Sequence, residues 1–163
     1  METHTHHREL APYSYPTPAM QLGAPGKFGR LQLVFELDRE QKSILRHWYR
    51  QAPLIVQQEL YFDENMPEMP CVYILSSGGP HVDGDRYKQQ FTLRKGAYAF
   101  ISTGAATKIA EMVYNFSSLQ QQIELEEEAY LEYLPEAVIP CRHSRSHAAP
   151  SAFCNTAQSV RLY

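Results

Sequence analysis

Two twelve-residue stretches of the chain resemble each other and restrict what it can fold into. FTLRKGAYAFIS at 91–102 aligns without gaps with IELEEEAYLEYL at 123–134, an offset of 32 residues. Each copy has apolar residues on both sides of a polar turn, which is typical of a strand, a tight turn and a second strand. One short apolar stripe cannot be buried alone. The repeat therefore predicts β-hairpins that stack in layers, in an all-β fold of stacked or helically wound strands.

Further strands are predicted before the repeat. Apolar and polar residues alternate over 30–38, and a polar turn joins this stretch to a second candidate strand at 43–49, so the two form a hairpin. The continuous apolar run at 71–77 predicts a central strand buried on both faces. Residues 51–63 favour extended chain because β-branched and aromatic residues recur there. Little helix is expected, and 105–112 is the best candidate for it.

Composition divides the chain into three parts. Residues 1–28 contain four prolines and predict a flexible leader. Residues 29–145 carry the strand patterns and form the β domain. Residues 146–163 show neither strand nor helix periodicity, and no Asp or Glu occurs after 136, so this segment is predicted to be an irregular tail.

Charge and cysteine usage exclude several classes of function. The net charge is −3 and the pI is near 6.2, so no overall basic balance suggests nucleic acid or an anionic membrane as a partner. The chain has three cysteines, Cys71, Cys141 and Cys154. Their odd number and the lack of a repeated spacing argue against a disulfide framework and for a reducing compartment. No apolar run approaches the ~18 residues of a membrane helix, and the N-terminus lacks the apolar centre of a secretion signal. A cytoplasmic protein without nucleic-acid or membrane partners is predicted.

The segment GGPHVDGD at 78–85 permits two interpretations. In the first, the glycines and proline shape a demanding turn that Asp83 and Asp85 hold by hydrogen bonds to backbone N–H groups. In the second, His81 with Asp83 or Asp85 supplies nitrogen and oxygen ligands that suit Ni, Zn or Mn in an open, transient site. Neither a Walker sequence nor a dinucleotide fingerprint is present, so no nucleotide is expected.

A second candidate metal site lies in IPCRH at 139–143. Cys141 and His143 are two residues apart, and in an extended chain such residues share one face. A soft thiolate beside an imidazole suits Ni or Zn. Ordinary packing is the alternative interpretation of this pair. A nucleophilic role is not supported, because nothing near the pair predicts an oxyanion hole.

Four segments together resemble the urease accessory protein UreD family, which is called UreH in some lineages. The resemblance covers residues 27–145, and its combination of motifs is specific. The segments are GRLQLVFEL (29–37), RQAPLIVQQELYFDENMPEMPCVYILSSGGPHVDGDRY (50–87), TLRKGAYAFISTGAATKIAEM (92–112) and AYLEYLPEAVIPCRH (129–143).

The resemblance implies a non-enzymatic scaffold of cytoplasmic urease maturation with a β-rich, partly β-helical fold. Such a scaffold binds urease apoprotein and the accessory proteins UreF and UreG, and the complex inserts nickel into urease. No tightly bound cofactor is implied, only transient nickel. The residues that the resemblance and the ligand chemistry together suggest for transient nickel contact are His81, Asp83, Asp85, Cys141 and His143.

The likeness to the family stops at about residue 145, although UreD-like chains continue with further strands. We therefore expect a C-terminally truncated form, or one with an atypical tail, whose β fold is incomplete at that end. Whether such a chain is active is left open. Two further alternatives also remain, a generic β-stacked ligand-binding module and a small metal-dependent hydrolase that uses His81, Asp83 and Asp85.

Overall fold

The computed structural model describes residues 8–13, 15 and 26–154, together with the backbone of a strand at Ser159–Leu162. Much of the predicted flexible leader lies outside these residues. Strands dominate the described part, and Ala11–Tyr13 forms a 3-10 turn. The prediction of an all-β fold is therefore confirmed. No helix in the described part has the length and apolar character that crossing a membrane requires.

Within the described residues, the strands form two five-stranded sheets and a smaller third one. Sheet A has the order β11-β8-β5-β1-β2, in which all neighbours are parallel except the antiparallel pair of β1 and β2. That pair confirms the predicted hairpin. The strands of sheet A are β1 (Phe28–Leu37), β2 (Ser43–Gln51), β5 (Arg86–Leu93), β8 (Ser117–Leu125) and β11 (Ser146–Cys154).

Sheet B repeats this arrangement with the order β12-β9-β6-β4-β3, and again only the last strand, β3, runs antiparallel. Sheet C is the parallel pair of β7 and β10. The strands of sheets B and C are β3 (Leu54–Val56), β4 (Cys71–Ser76), β6 (Tyr98–Thr103), β7 (Thr107–Ile109), β9 (Tyr130–Leu134), β10 (Val138–Pro140) and β12 (Ser159–Leu162).

The chain passes through sheets A, B and C in turn, so that successive passes stack as rungs of a three-sided β-helix. One rung is β5, β6 and β7, and the next is β8, β9 and β10. Phe91 lies opposite Ile123, and Tyr98 lies opposite Tyr130, which is the 32-residue offset of the sequence repeat. The predicted stacking is confirmed. The predicted hairpins are wrong, because the two strands of each copy belong to different sheets.

The hairpin prediction failed because the repeat buries both of its strands against each other. Phe91 on β5 and Ile101 on β6 are fully buried in one core between sheets A and B. A hairpin would place both strands side by side in a single sheet. Here the turn is instead a surface arc that leads the chain from sheet A to sheet B, and each strand finds its backbone partners in the rung above or below.

The two arcs differ in sequence because their side chains stack as opposite charges. Arg94 pairs with Glu126 at 2.5 Å, and Lys95 pairs with Glu127 at 2.7 Å. The hydrogen bond from Arg94 is also the main cause that lowers the pKa of Glu126. Gly96 and its counterpart Glu128 both have positive φ, 71° and 60°, so the arc imposes a left-handed residue in both rungs. These exposed pairs align the rungs and add little stability.

Two further predictions about secondary structure are wrong. Residues 146–154 form β11, which pairs with β8 over its full length, where an irregular tail was expected. Most side chains of β11 are exposed, so burial imposes no apolar alternation on its sequence. The candidate helix at 105–112 instead contains β7, whose Thr107 and Ile109 are β-branched.

Candidate functional site

The GGPHVDGD segment lies beside sheet C and joins it through one residue. His81 makes a parallel bridge to Ile109 of β7. Its N–H donates to the carbonyl of Lys108 at 2.8 Å, and its carbonyl accepts the N–H of Ala110 at 2.9 Å. The segment therefore closes the rung that begins with β1 and β4. It also delivers the chain to β5, which explains why a tight, glycine-rich path is needed there.

Asp85 is fully buried at the start of β5 and binds four donors. Its carboxylate accepts the backbone N–H of Lys27 at 2.9 Å and that of Val82 at 3.0 Å. It also accepts the Tyr87 hydroxyl at 3.0 Å, and the Lys27 ammonium lies 3.1 Å from the same carboxylate. Burial of a charge is tolerated only with such partners. Asp85 thus ties the entry of β1 to the turn and to β5.

His81 and Tyr87 extend this buried cluster. Their rings stack with centroids 4.3 Å apart. Burial lowers the pKa of His81, and the nearby Lys27 acts in the same direction, while Asp85 opposes both. Burial, followed by the charge of Asp85, raises the pKa of Tyr87. At neutral pH the cluster therefore holds a neutral imidazole and a neutral phenol around one charge pair.

Asp83 has a different role, although it lies only two residues away. Its carboxylate accepts the backbone N–H groups of Val113 at 3.0 Å and Asn115 at 2.9 Å, with that of Tyr114 at 3.5 Å. The side chain therefore holds the loop that leads into β8. Asp83 and Asp85 both serve as acceptors for backbone donors, which supports the interpretation of this segment as a fold-defining turn.

Arg86 and Asn115 link this turn to the following rung. Arg86 donates to the side-chain oxygen of Asn115 at 3.0 Å, and its guanidinium lies 4.2 Å from the centre of the Phe116 ring. The amide of Asn115 donates to the carbonyl of Tyr15 at 2.8 Å. A residue of the predicted leader therefore contacts the body of the fold through Asn115.

Cys141 and His143 lie on an exposed turn that follows β10. The N–H of Ser144 donates to the carbonyl of Cys141 at 3.2 Å, and His143 has a φ of 56°. The predicted extended geometry of this pair is therefore wrong, because the chain turns between the two residues. Both side chains are exposed to solvent.

The five candidate ligands do not form one cluster. Ile109 pairs with His81 on one side, and its carbonyl accepts the N–H of Cys141 at 2.9 Å on the other. His81 and Cys141 are thus two strand spacings apart, about 10 Å between backbones. Within the described residues, no three His, Cys, Asp or Glu side chains converge to hold a metal ion. The donor set does not fit the hydrolase alternative, since Asp83 and Asp85 are occupied by N–H and O–H donors and by Lys27.

Several residues of the site were not singled out from the sequence. Lys27 and Asn115 are single polar residues in loops, and no local pattern reveals that they partner Asp85 and Asp83. Gln89 and Gln121 were also missed, although they are buried and joined by a 2.9 Å hydrogen bond between their side-chain amides. In this case a signal existed, because the two glutamines have the 32-residue offset of the repeat.

The partly buried His81 predicts a specific dependence of stability on pH. The folded state holds His81 neutral, so between its lowered pKa and the ordinary value of about 6.5 the unfolded chain binds the extra proton. The free energy of unfolding should therefore fall as the pH drops below about 6.5. His81→Phe keeps a ring against Tyr87 and should reduce this slope in urea unfolding measured at a series of pH values. An identical slope in the variant would contradict the assignment.

Comparison with known proteins identifies relatives for most of the chain. Residues 27–151 match the family model described as UreD urease accessory protein. Urease accessory protein UreD 3 of Methylorubrum populi is 46% identical over 138 residues, which cover 85% of this chain and 44% of the relative. UreD 2 of Methylorubrum extorquens has the same identity and coverage. UreD 2 of Brucella ovis is 44% identical over 85% of this chain and 45% of the relative.

The chain spans less than half the length of the curated relatives that it matches. The matched residues nevertheless include both copies of the repeat, the Asp85 cluster and the turn at Cys141. The match also extends into β11, beyond the point at which the sequence pattern was expected to stop. The chain therefore belongs to the UreD family of urease accessory proteins.

Proposed function

We propose that this chain acts as a scaffold in urease maturation and performs no reaction of its own. In this role it binds urease apoprotein together with UreF and UreG in the cytoplasm while nickel is inserted into urease. The single observation that carries the proposal is the UreD family match over 27–151, which coincides with the stacked rungs. A repetitive β body suits a scaffold because each rung presents a rigid, extended surface.

Nickel is the cargo in this proposal and not a resident cofactor. Cys141 and His143 are the candidate contacts, because both side chains are exposed and a thiolate with an imidazole suits Ni²⁺. His81 is a further candidate, since burial keeps its imidazole neutral and able to donate an electron pair. Asp83 and Asp85 place carboxylates near His81 and fix the shape of the turn, while their oxygens accept hydrogen bonds from backbone N–H groups.

Co-purification tests the scaffold role. The tagged chain is expressed in cells that make urease subunits, UreF and UreG but lack their own UreD, and it is isolated with whatever it binds. We expect urease apoprotein or UreF to be retained in stoichiometric amounts. If the folded chain retains neither protein, the proposal is overturned. Urease activity in the same cells shows in addition whether the chain supports activation.

The same preparation tests the nickel contacts. In a variant carrying Cys141→Ser and His143→Gln, we expect less nickel in the isolated complex while the protein partners are retained, because both changed residues lie on the surface. The matched control carries Cys154→Ser, which alters an exposed cysteine outside both the turn at Cys141 and strand β2. Equal nickel contents in the two variants would remove Cys141 and His143 from the proposal.

A further inference from the structure

The second half of β2 is an edge strand that is exposed on both faces. β2 is the last strand of sheet A, and among the residues that the structure describes only β1 pairs with it. Its first residues reach the core, but residues 46–51, here called the exposed half of β2, are all exposed. Their outer backbone groups form a row of donors and acceptors without strand partners in the described chain, which is a template for strand addition.

Two large aromatic side chains lie on this exposed half. Trp48 pairs with Leu33 and Tyr49 pairs with Gln32, so the two rings project on opposite faces of the sheet. Trp48 is 46% exposed and Tyr49 is 44% exposed. Removing such rings from water is favourable, and Trp, Tyr and Arg are the residues that most often dominate the energy of protein interfaces.

The charge of the exposed half is opposite to that of the whole chain. Residues 46–51 contain Arg46 and Arg50 and no acidic residue, whereas the net charge of the chain is −3. Arg46 forms an exposed pair with Glu36 at 3.2 Å, which is weak enough for a second carboxylate to compete, and Arg50 donates to a backbone carbonyl at 2.8 Å with one nitrogen of its guanidinium. A third cation, Arg30, lies with its guanidinium 5.9 Å from the centre of the Tyr49 ring. Arginine side chains bind carboxylates with two parallel hydrogen bonds, so the chemistry of this strand fits an acidic partner.

Protection against aggregation is the other common reason for charge on an edge strand. Protective charges are usually lysines, and a protected edge keeps large apolar side chains away from solvent. The exposed half of β2 instead combines arginines with Trp48 and Tyr49. Arginines and large aromatic rings strengthen binding at an exposed edge, whereas protective residues weaken it. Protection against aggregation therefore does not explain this combination.

We propose that the exposed half of β2 is a docking strand, which binds an extended segment of a partner protein by strand addition. The segment carries carboxylates that meet Arg46 and Arg50 on the face that these share with Trp48, and apolar side chains on the opposite face that cover Tyr49. Backbone hydrogen bonds supply part of the affinity, and these side chains supply the preference for acidic sequences. This proposal does not depend on a role in urease maturation.

The chain contains one tryptophan, so its fluorescence reports directly on this strand. The full chain is titrated with a synthetic peptide of nine residues, the length of β2, in which Glu and Ile alternate. We expect the emission of Trp48 to shift to shorter wavelength, and backbone amides within 46–51 to gain protection from hydrogen exchange. A peptide with Lys in place of Glu, and one interrupted by prolines, should produce neither effect.

Paired variants separate this strand from other exposed surfaces. Arg46→Glu with Tyr49→Ala should weaken binding of the Glu/Ile peptide by at least about tenfold, because a like charge faces the peptide and one ring is lost. Arg142→Glu with Tyr114→Ala changes the same residue types at other exposed positions and should leave the affinity unchanged. Equal affinity for the Lys peptide, or protection that appears without peptide through self-association, would overturn the proposal. So would an equal shift with a single-stranded oligonucleotide.

Discussion

Asp85→Ala is expected to lower the free energy of unfolding by about 3–5 kcal/mol, because the substitution breaks a buried ion pair from one side. Asp85 is 0% exposed, and the Lys27 ammonium lies 3.1 Å from its carboxylate. After the substitution, that ammonium remains largely buried without its counter-charge. The backbone N–H groups of Lys27 and Val82 and the hydroxyl of Tyr87 also lose their acceptor. Urea unfolding at neutral pH measures the effect.

Three controls make this result specific to the buried pair. Asp85→Asn keeps the shape and one acceptor oxygen, so it should destabilise less than the alanine substitution. Lys27→Met added to Asp85→Ala removes the stranded charge and should recover part of the lost stability. Glu36→Gln breaks an exposed pair with Arg46 and should change the free energy of unfolding by at most about 1 kcal/mol. A loss at Asp85 as small as that at Glu36 would refute the assigned role.

The second large effect is expected at the centre of the β-helix. Phe91→Ala should lower the free energy of unfolding by about 3–5 kcal/mol, which is the usual loss when a buried phenylalanine is truncated. Phe91 is 0% exposed, and its ring centre lies 5.7 Å from that of Tyr133. It also lies opposite Leu33 on β1 and Ile123 on β8, so the cavity would open between three rungs.

Phe153→Ala provides the matched control for Phe91. Phe153 is on β11 of the same sheet and is 60% exposed, so its truncation should change the free energy of unfolding by no more than about 0.5 kcal/mol. Both variants are compared by urea unfolding under identical conditions. If the two losses are similar, the core does not lie between sheets A and B as the structure describes.

The stacking of the fold could be predicted because packing between rungs imposes a repeat on the sequence. Phe91 and Ile123 occupy equivalent places in successive rungs and must both be apolar. The path between strands was harder to predict, since one sequence pattern fits both a hairpin within a sheet and an arc between sheets. β11 left no signal, because its side chains are mostly exposed and its pairing with β8 uses backbone groups that every residue has.

The candidate site was located from sequence, but the roles of its residues required the structure. The glycines and aspartates of the turn marked a special backbone, and Asp83 and Asp85 do bind backbone donors there. Their partners come from Lys27 and from the loop before β8, and these are distant in sequence. Local spacing contains no information about such long-range pairing. The geometry of Cys141 and His143 was mispredicted for a related reason, since the turn depends on a left-handed residue at His143.

The register between rungs determines which changes of length the chain can accommodate. A single residue deleted within β8 would move Ile123 and Leu125 from the interior to the outer face, because side chains alternate along a strand. Loss of a complete rung would leave each remaining strand with a neighbour of matching direction. We therefore expect homologous chains to gain or lose residues in the arcs or by whole turns of the coil, and to keep the spacing within strands constant.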